Sequence, residues 1–138
     1  MSDSNAYWVA FNHIKGLGSV RFKAILNYFP TIEDAWEATP AQLAAAGLHN
    51  RQIQSMVSFR DANDPLELYQ SILRKNIEIV TWNDDHYPAL LKLITNPPPV
   101  LYWRGQQLDN NFKCISIVGT RRMTVYGRMM AEEISAYL

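Results

Sequence analysis

The apolar residues of this chain recur at one spacing up to about residue 75 and at another beyond it. That switch bounds the folds open to it. The first part is helical throughout. Tyr7, Trp8, Phe11 and Ile14 form the first apolar face, which Gly16-Leu17-Gly18 interrupts. Ser19 is placed to cap a second helix running to about Phe29, with Val20, Phe22, Ile25, Leu26 and Phe29 apolar, and Pro30 stops it. Thr31 opens a short helix containing Ala35 and Trp36. Thr39-Pro40-Ala41-Gln42 combines a cap, a first-turn proline and a glutamine three residues on, and Gly47 closes the helix that follows. Asn50 is placed to cap a helix to about Phe59, and Asp64-Pro65-Leu66-Glu67 opens another to about Lys75.

The second part alternates. Ile77–Trp82 has the β-branched and aromatic texture of a strand, and Asn83-Asp84-Asp85 reads as a turn. Tyr87-Pro88 leads a short helix with Leu90, Leu91 and Ile94. Asn96-Pro97-Pro98-Pro99 forbids helix, and a cis bond there is open on sequence. Val100–Trp103 is a second strand, stopped by Gly105. Ile115–Val118 is a third, and a last helix starts at about Thr124. Strands alternating with helices predict an α/β class with a parallel sheet. The expected division is a helical domain over 1–75 and the start of an α/β domain over 76–138. Three strands in so short a stretch cannot cover both faces of a parallel sheet, so the expectation is an N-terminal piece of a longer protein that continues with βα units.

Bulk composition excludes more than it selects. With 48% hydrophobic residues, 13 basic and 13 acidic side chains, the chain has no net charge and no whole-molecule attraction to nucleic acid or anionic membrane. Residues 1–75 carry equal numbers of acids and bases, which predicts no basic face there by count. The single cysteine, Cys114, falls in the predicted third strand as a small apolar residue, so the expected setting is reducing and cytoplasmic. No apolar run approaches the roughly 20 residues of a membrane span. The start, Met1-Ser2-Asp3-Ser4, lacks a basic secretion signal.

The run from Cys114 to Gly127 carries the chemistry. A strand that ends in glycine and feeds a helix makes an anion site, because turn amides and the positive helix end point at one ligand. From Lys113 to Arg128 there are four cations, Lys113, Arg121, Arg122 and Arg128, and no acid. The glycines Gly119 and Gly127 are too far apart for a dinucleotide fingerprint, and no Gly-Lys-Ser/Thr follows for a P-loop. Two arginines oppose the helix dipole, a placement easier to understand if phosphate arrives to offset it. Arg121 is the residue expected to grip a phosphate or stack beneath a base; Arg122 is expected to share in it or turn to solvent. Tyr126 is open to two readings, a base-stacking platform or a packing residue on its helix.

At these residues the chain resembles the DNA-processing protein A (Smf) family. The resemblance rests on Tyr87-Pro88-x-x-Leu91, on Pro97-Pro98-Pro99-Val100-Leu101-Tyr102-x-x-Gly105, and on Val118-Gly119-Thr120-Arg121-Arg122-x-Thr124-x-Tyr126-Gly127. The front end with Ile14-Lys15-Gly16-Leu17-Gly18 is similar to that family's sterile-alpha-motif-like domain. The resemblance implies a truncated Rossmann-like domain after the helical one, and a homodimer when full length. It implies a single-stranded DNA-binding protein of natural transformation that protects incoming DNA and helps to load the RecA recombinase. Gly119, Thr120, Arg121 and Gly127 would fall on the phosphate-binding loop, with Arg121 on DNA. No catalytic residue, cofactor or metal is implied.

Rival readings attach to the same residues. A Rossmann-like sheet with a phosphate loop also suits a phosphoribohydrolase-like enzyme, but the loop offers no carboxylate before Glu132-Glu133. Gly16-Leu17-Gly18 between helices is similar to a helix-hairpin-helix turn, which would hold a duplex phosphate with Lys15, Arg21 and Lys23 beside it; a packing or protein-docking role for 1–75 competes with that. His13, His49 and His86 are not at metal-ligand spacing. Ser116 alternates with Ile115 and Ile117, unlike a nucleophile elbow. The four tryptophans read as core.

Overall fold

A computed structural model describes residues 4–106 and 115–138. Six helices come first: α1 (Ser4–His13), α2 (Ser19–Tyr28), α3 (Ile32–Glu37), α4 (Pro40–Ala45), α5 (Asn50–Ala62) and α6 (Pro65–Leu73). They are followed by β1 (Glu78–Thr81), α7 (Ala89–Lys92), β2 (Val100–Trp103) and α8 (Val125–Tyr137). The architecture is mixed, helices with one small sheet.

The helix starts are set by side chains. Thr31 accepts from the Asp34 amide at 3.0 Å. At α4 the box is reciprocal: Thr39 Oγ1 accepts from the Gln42 amide, and the Gln42 side chain accepts from the Thr39 amide. Asp64 accepts from the Glu67 amide at 2.9 Å ahead of Pro65. Two expected caps shift by one residue. Ser19 lies inside α2, and Gly18 occupies the cap position without a side chain to offer. Asn50 lies inside α5, and His49 takes the cap position, its amide donating to the Gln52 side chain at 3.0 Å. The partner three residues on decides the second case, because Gln52 is spaced to reach His49. Gly47 closes α4 at φ +90°, a conformation that costs glycine nothing and a side chain about 1 kcal/mol.

α1 is the spine of the bundle. It packs against α6, α3 and both strands, and its Ala6, Val9, Ala10 and Phe11 are fully buried. Rings fill the middle. Trp8 stacks on Phe22 with centroids 5.0 Å apart, and Trp82 meets both edge-on, at 6.1 Å from Trp8 and 5.8 Å from Phe22. Trp36 closes the other side against Phe11, Tyr7 and Phe59. One buried apolar cluster therefore runs from Ala6 through the helices to Val80, Trp82, Tyr87 and Val100. The indole Nε1 of Trp82 is buried with no hydrogen-bond partner among the described residues.

The expected parallel sheet is not observed. β1 and β2 pair antiparallel, with Glu78 opposite Trp103 and Thr81 opposite Val100. The connection explains the direction. Parallel strands need a crossover that carries the chain back along the sheet. Here Trp82–Pro99 instead makes a turn, the single helical turn of α7 and an extended prolyl segment, so the chain simply reverses. Asp84 holds the turn by accepting from the Thr81 amide at 2.6 Å and the Thr81 hydroxyl at 2.9 Å. The buried Tyr87 hydroxyl donates to the Pro98 carbonyl at 2.7 Å and fastens the prolyl segment. No described peptide bond is cis.

The third expected strand is also absent. Ile115–Val118 has no regular structure, and Ile115 and Val118 are 66% and 89% exposed. A strand exists only beside a partner that takes its ladder hydrogen bonds, and β1 and β2 pair with each other. Cys114 and Lys113 lie outside the described residues.

Candidate nucleic-acid interface

The segment from Ile115 to Thr124 is exposed and without regular structure until α8 begins at Val125. Its order comes from two hydroxyls. Thr120 Oγ1 accepts from the Arg122 amide at 3.1 Å, folding the chain tightly around Arg121. Thr124 Oγ1 accepts from the Gly127 amide at 3.1 Å and caps α8. The helix start is therefore legible in Thr124, three residues ahead of a backbone donor.

The six residues singled out by sequence lie along this one segment. Gly119 stands in the extended approach. It does not adopt a positive φ, and a Cβ added there would meet nothing within 4 Å. Neither backbone conformation nor crowding within the chain demands glycine at that position. At Gly127 a Cβ would lie 3.4 Å from Thr124 Oγ1, an ordinary contact, so the Thr124 cap does not demand glycine there either. Thr120 bends the turn. Arg121 and Arg122 are exposed, and among the described residues neither guanidinium has an ion pair or hydrogen bond. Tyr126, in the first turn of α8, is 72% exposed, so it does not pack against the described core. Arg128 is occupied locally, donating to Glu132 at 2.7 Å across one helical turn.

The electrostatics follow from these placements. Two cations without a partner among the described residues directly precede the start of α8. An anion here would meet charge-assisted donors without displacing an internal partner. The residues offer positioning and charge, and among the described residues no group of three or more His, Cys, Asp or Glu side chains gathers to hold a metal. No described helix is long and apolar enough to cross a membrane.

Sequence reasoning missed a second, tighter arrangement on the helical part. The Arg21 guanidinium donates to the Gly47 carbonyl at 2.9 Å and lies 2.8 Å from His49 Nε2. Guanidinium only donates, so His49 Nε2 is the acceptor in this contact. Gln52 Nε2 donates to the Gly16 carbonyl at 2.9 Å. The turn at Gly16-Leu17-Gly18 is thus stitched to the turn at Gly47-Leu48-His49. The signal available in sequence was weak: two acid-free stretches, each around a glycine turn.

Comparisons with known proteins agree with the motifs. A family model described as DNA recombination-mediator protein A matches residues 78–138, the stretch that holds β1, β2, the arginine turn and α8. Protein Smf of Synechocystis sp. (strain ATCC 27184 / PCC 6803 / Kazusa) is 32% identical over 142 aligned positions, which cover 99% of this chain. The chain spans 36% of that relative's length. No solved structure matches the chain. The alignment reaches through the helical part as well as the arginine turn, and the two comparisons together support the DNA-processing protein A (Smf) family for this chain.

Proposed function

We propose that the chain is part of a cytoplasmic single-stranded DNA-binding protein that mediates recombination during natural transformation, acting by binding and not by bond chemistry. The observation that carries this reading is the pair of exposed guanidiniums, Arg121 and Arg122, without a partner among the described residues, on a Thr120 turn directly ahead of the Thr124-capped α8. Phosphates would be held by Arg121, Arg122 and the amides after Gly119, whose lack of a side chain lets a strand approach closely. Gly127 gives its amide to the Thr124 cap, and Tyr126 offers an exposed ring on which a base can stack. Such a site tolerates any base and depends on salt. The family match supports a role in DNA processing.

On this reading residues 1–75 form a sterile-alpha-motif-like domain, and 76–138 open a Rossmann-like domain in which Ile115–Val118 takes a strand position. The full-length protein forms a homodimer, protects incoming DNA and helps to load RecA on the strand. The test is oligo-dT binding by the full-length protein. Arg121→Ala and Arg121→Glu weaken it and flatten its salt dependence; unchanged affinity across a gel-shift series sinks the assignment.

A further inference from the structure

Residues 1–75 carry seven basic and seven acidic side chains, but two long stretches of them hold bases and no acid. No acid occurs from Ser4 to Ile32 or from Ala38 to Arg60. The acids Glu33, Asp34 and Glu37 lie in α3, past the far end of α2 from Arg21. Asp61, Asp64 and Glu67 lie at the α5–α6 junction, where Asp61 is about 15 Å along α5 from Arg51. Lys15, Arg21 and Arg51 belong to these acid-free stretches. The bond from Gln52 to Gly16 brings the backbone beside Arg51 near the backbone beside Lys15. Arg21 holds the Gly47-Leu48-His49 turn through Gly47 and His49. Lys15 and Arg51 are exposed, and among the described residues neither has an ion-pair partner. A shallow groove of about 170 Å³, lined by Gly18, Ser19, Val20, Arg21 and Asn96, runs beside them.

We propose that this region binds the sugar–phosphate backbone of double-helical DNA, separately from the Gly119–Gly127 segment. The proposal rests on the reading of the full-length protein as one that binds DNA. The chemistry selects the form of the nucleic acid. A single strand is held chiefly by stacking on exposed aromatics, and no aromatic lines the groove. A duplex presents its phosphates outward at fixed spacing with the bases already stacked, so cations on a rigid frame suffice. The frame is rigid because the two turns are tied by side-chain bonds. A protein with both sites would seat a junction, duplex on the helical part and single strand on the arginine turn.

The experiment compares a fluorescent 20-base-pair hairpin duplex with oligo-dT on the full-length protein. The variant is Lys15→Glu with Arg51→Glu, because neither side chain takes part in the stitches. Expected is a loss of duplex affinity of at least about tenfold, a salt slope shallower by about 2, and dT affinity within about twofold of the parent. Arg121→Ala does the reverse. Circular dichroism and the unfolding midpoint report that the variant is folded; if it is not, the single Lys15→Glu and Arg51→Glu variants each carry the same expectation at about half the change in slope. Unchanged duplex affinity, equal loss for both probes, or no duplex binding by the parent overturns the proposal while leaving the Arg121 site intact. Loss of dT binding insensitivity is read separately: dT affinity unmoved by Arg121→Ala overturns the single-strand reading instead.

Discussion

The guanidinium of Arg21 and the Nε2 of His49 lie 2.8 Å apart, and the same guanidinium donates to the Gly47 carbonyl at 2.9 Å. One side chain at the start of α2 thereby holds the Gly47-Leu48-His49 turn from 26 residues away along the chain. Arg21→Ala is expected to lower stability by about 1–2 kcal/mol, the loss of two partly exposed bonds, one of them charge-assisted to a carbonyl. Arg21→Lys restores only part of this, because an ammonium cannot fork to both acceptors. Urea unfolding of the three proteins checks the order.

Trp82 gives two opposite substitutions. It meets Trp8 and Phe22 edge-on while its Nε1 has no hydrogen-bond partner among the described residues. Trp82→Ala removes the ring and should cost about 3–5 kcal/mol. Trp82→Phe removes the orphaned N–H and keeps most of the ring, so its cost should stay below about 1.5 kcal/mol. Equal losses in thermal or urea unfolding would show that the indole edge, not the ring volume, matters.

Alkaline pH should weaken the fold through Tyr87 and Tyr102. Burial pushes both phenols above the usual value of 10.0. Each neutral phenol is thus favoured in the folded state, and its contribution is fully present below pH 10. It is lost as pH rises from 10 through the folded value, because the unfolded chain ionises first. Unfolding midpoints at pH 8 and at about pH 11 should diverge in the parent. In Tyr87→Phe the divergence should shrink, with a lower midpoint at pH 8 from the lost bond to Pro98.

The glycines separate structure from binding. Gly47→Ala puts a side chain at φ +90° and should destabilise by about 1 kcal/mol. Gly119→Ala has room and no such backbone demand, so stability should change by less than about 0.5 kcal/mol. If a phosphate backbone approaches that amide, the same Gly119→Ala weakens oligo-dT binding. Retained dT affinity would leave Gly119 without a part in the site.

What the sequence made legible were local matters. Thr31, Thr39, Asp64 and Thr124 cap helices because each finds its donor within the same turn, and β1 and β2 stand where β-branched residues cluster. Pairing direction was not legible, since Glu78–Thr81 and Val100–Trp103 have the same texture either way and the choice is made by the reversal at Trp82–Pro99. Ile115–Val118 has strand texture too, but texture supplies no neighbour. Of the candidate site, Arg121, Arg122 and the Thr124 cap fall where spacing put them. The approach of the two acid-free stretches was invisible to counting, because Gly16 and Gln52 are 36 positions apart and only the folded chain joins them.

The packing of Trp82 edge-on against the stacked Trp8 and Phe22 has an evolutionary consequence. A hairpin that lends its own ring to another part's core cannot be exchanged for an unrelated one by recombination of gene segments. A newcomer would leave a slot the size of an indole beneath α1, and the helices would have to be recut to close it. Helical part and hairpin are therefore expected to diverge together, with compensating changes at positions 8, 22 and 82 rather than independent drift.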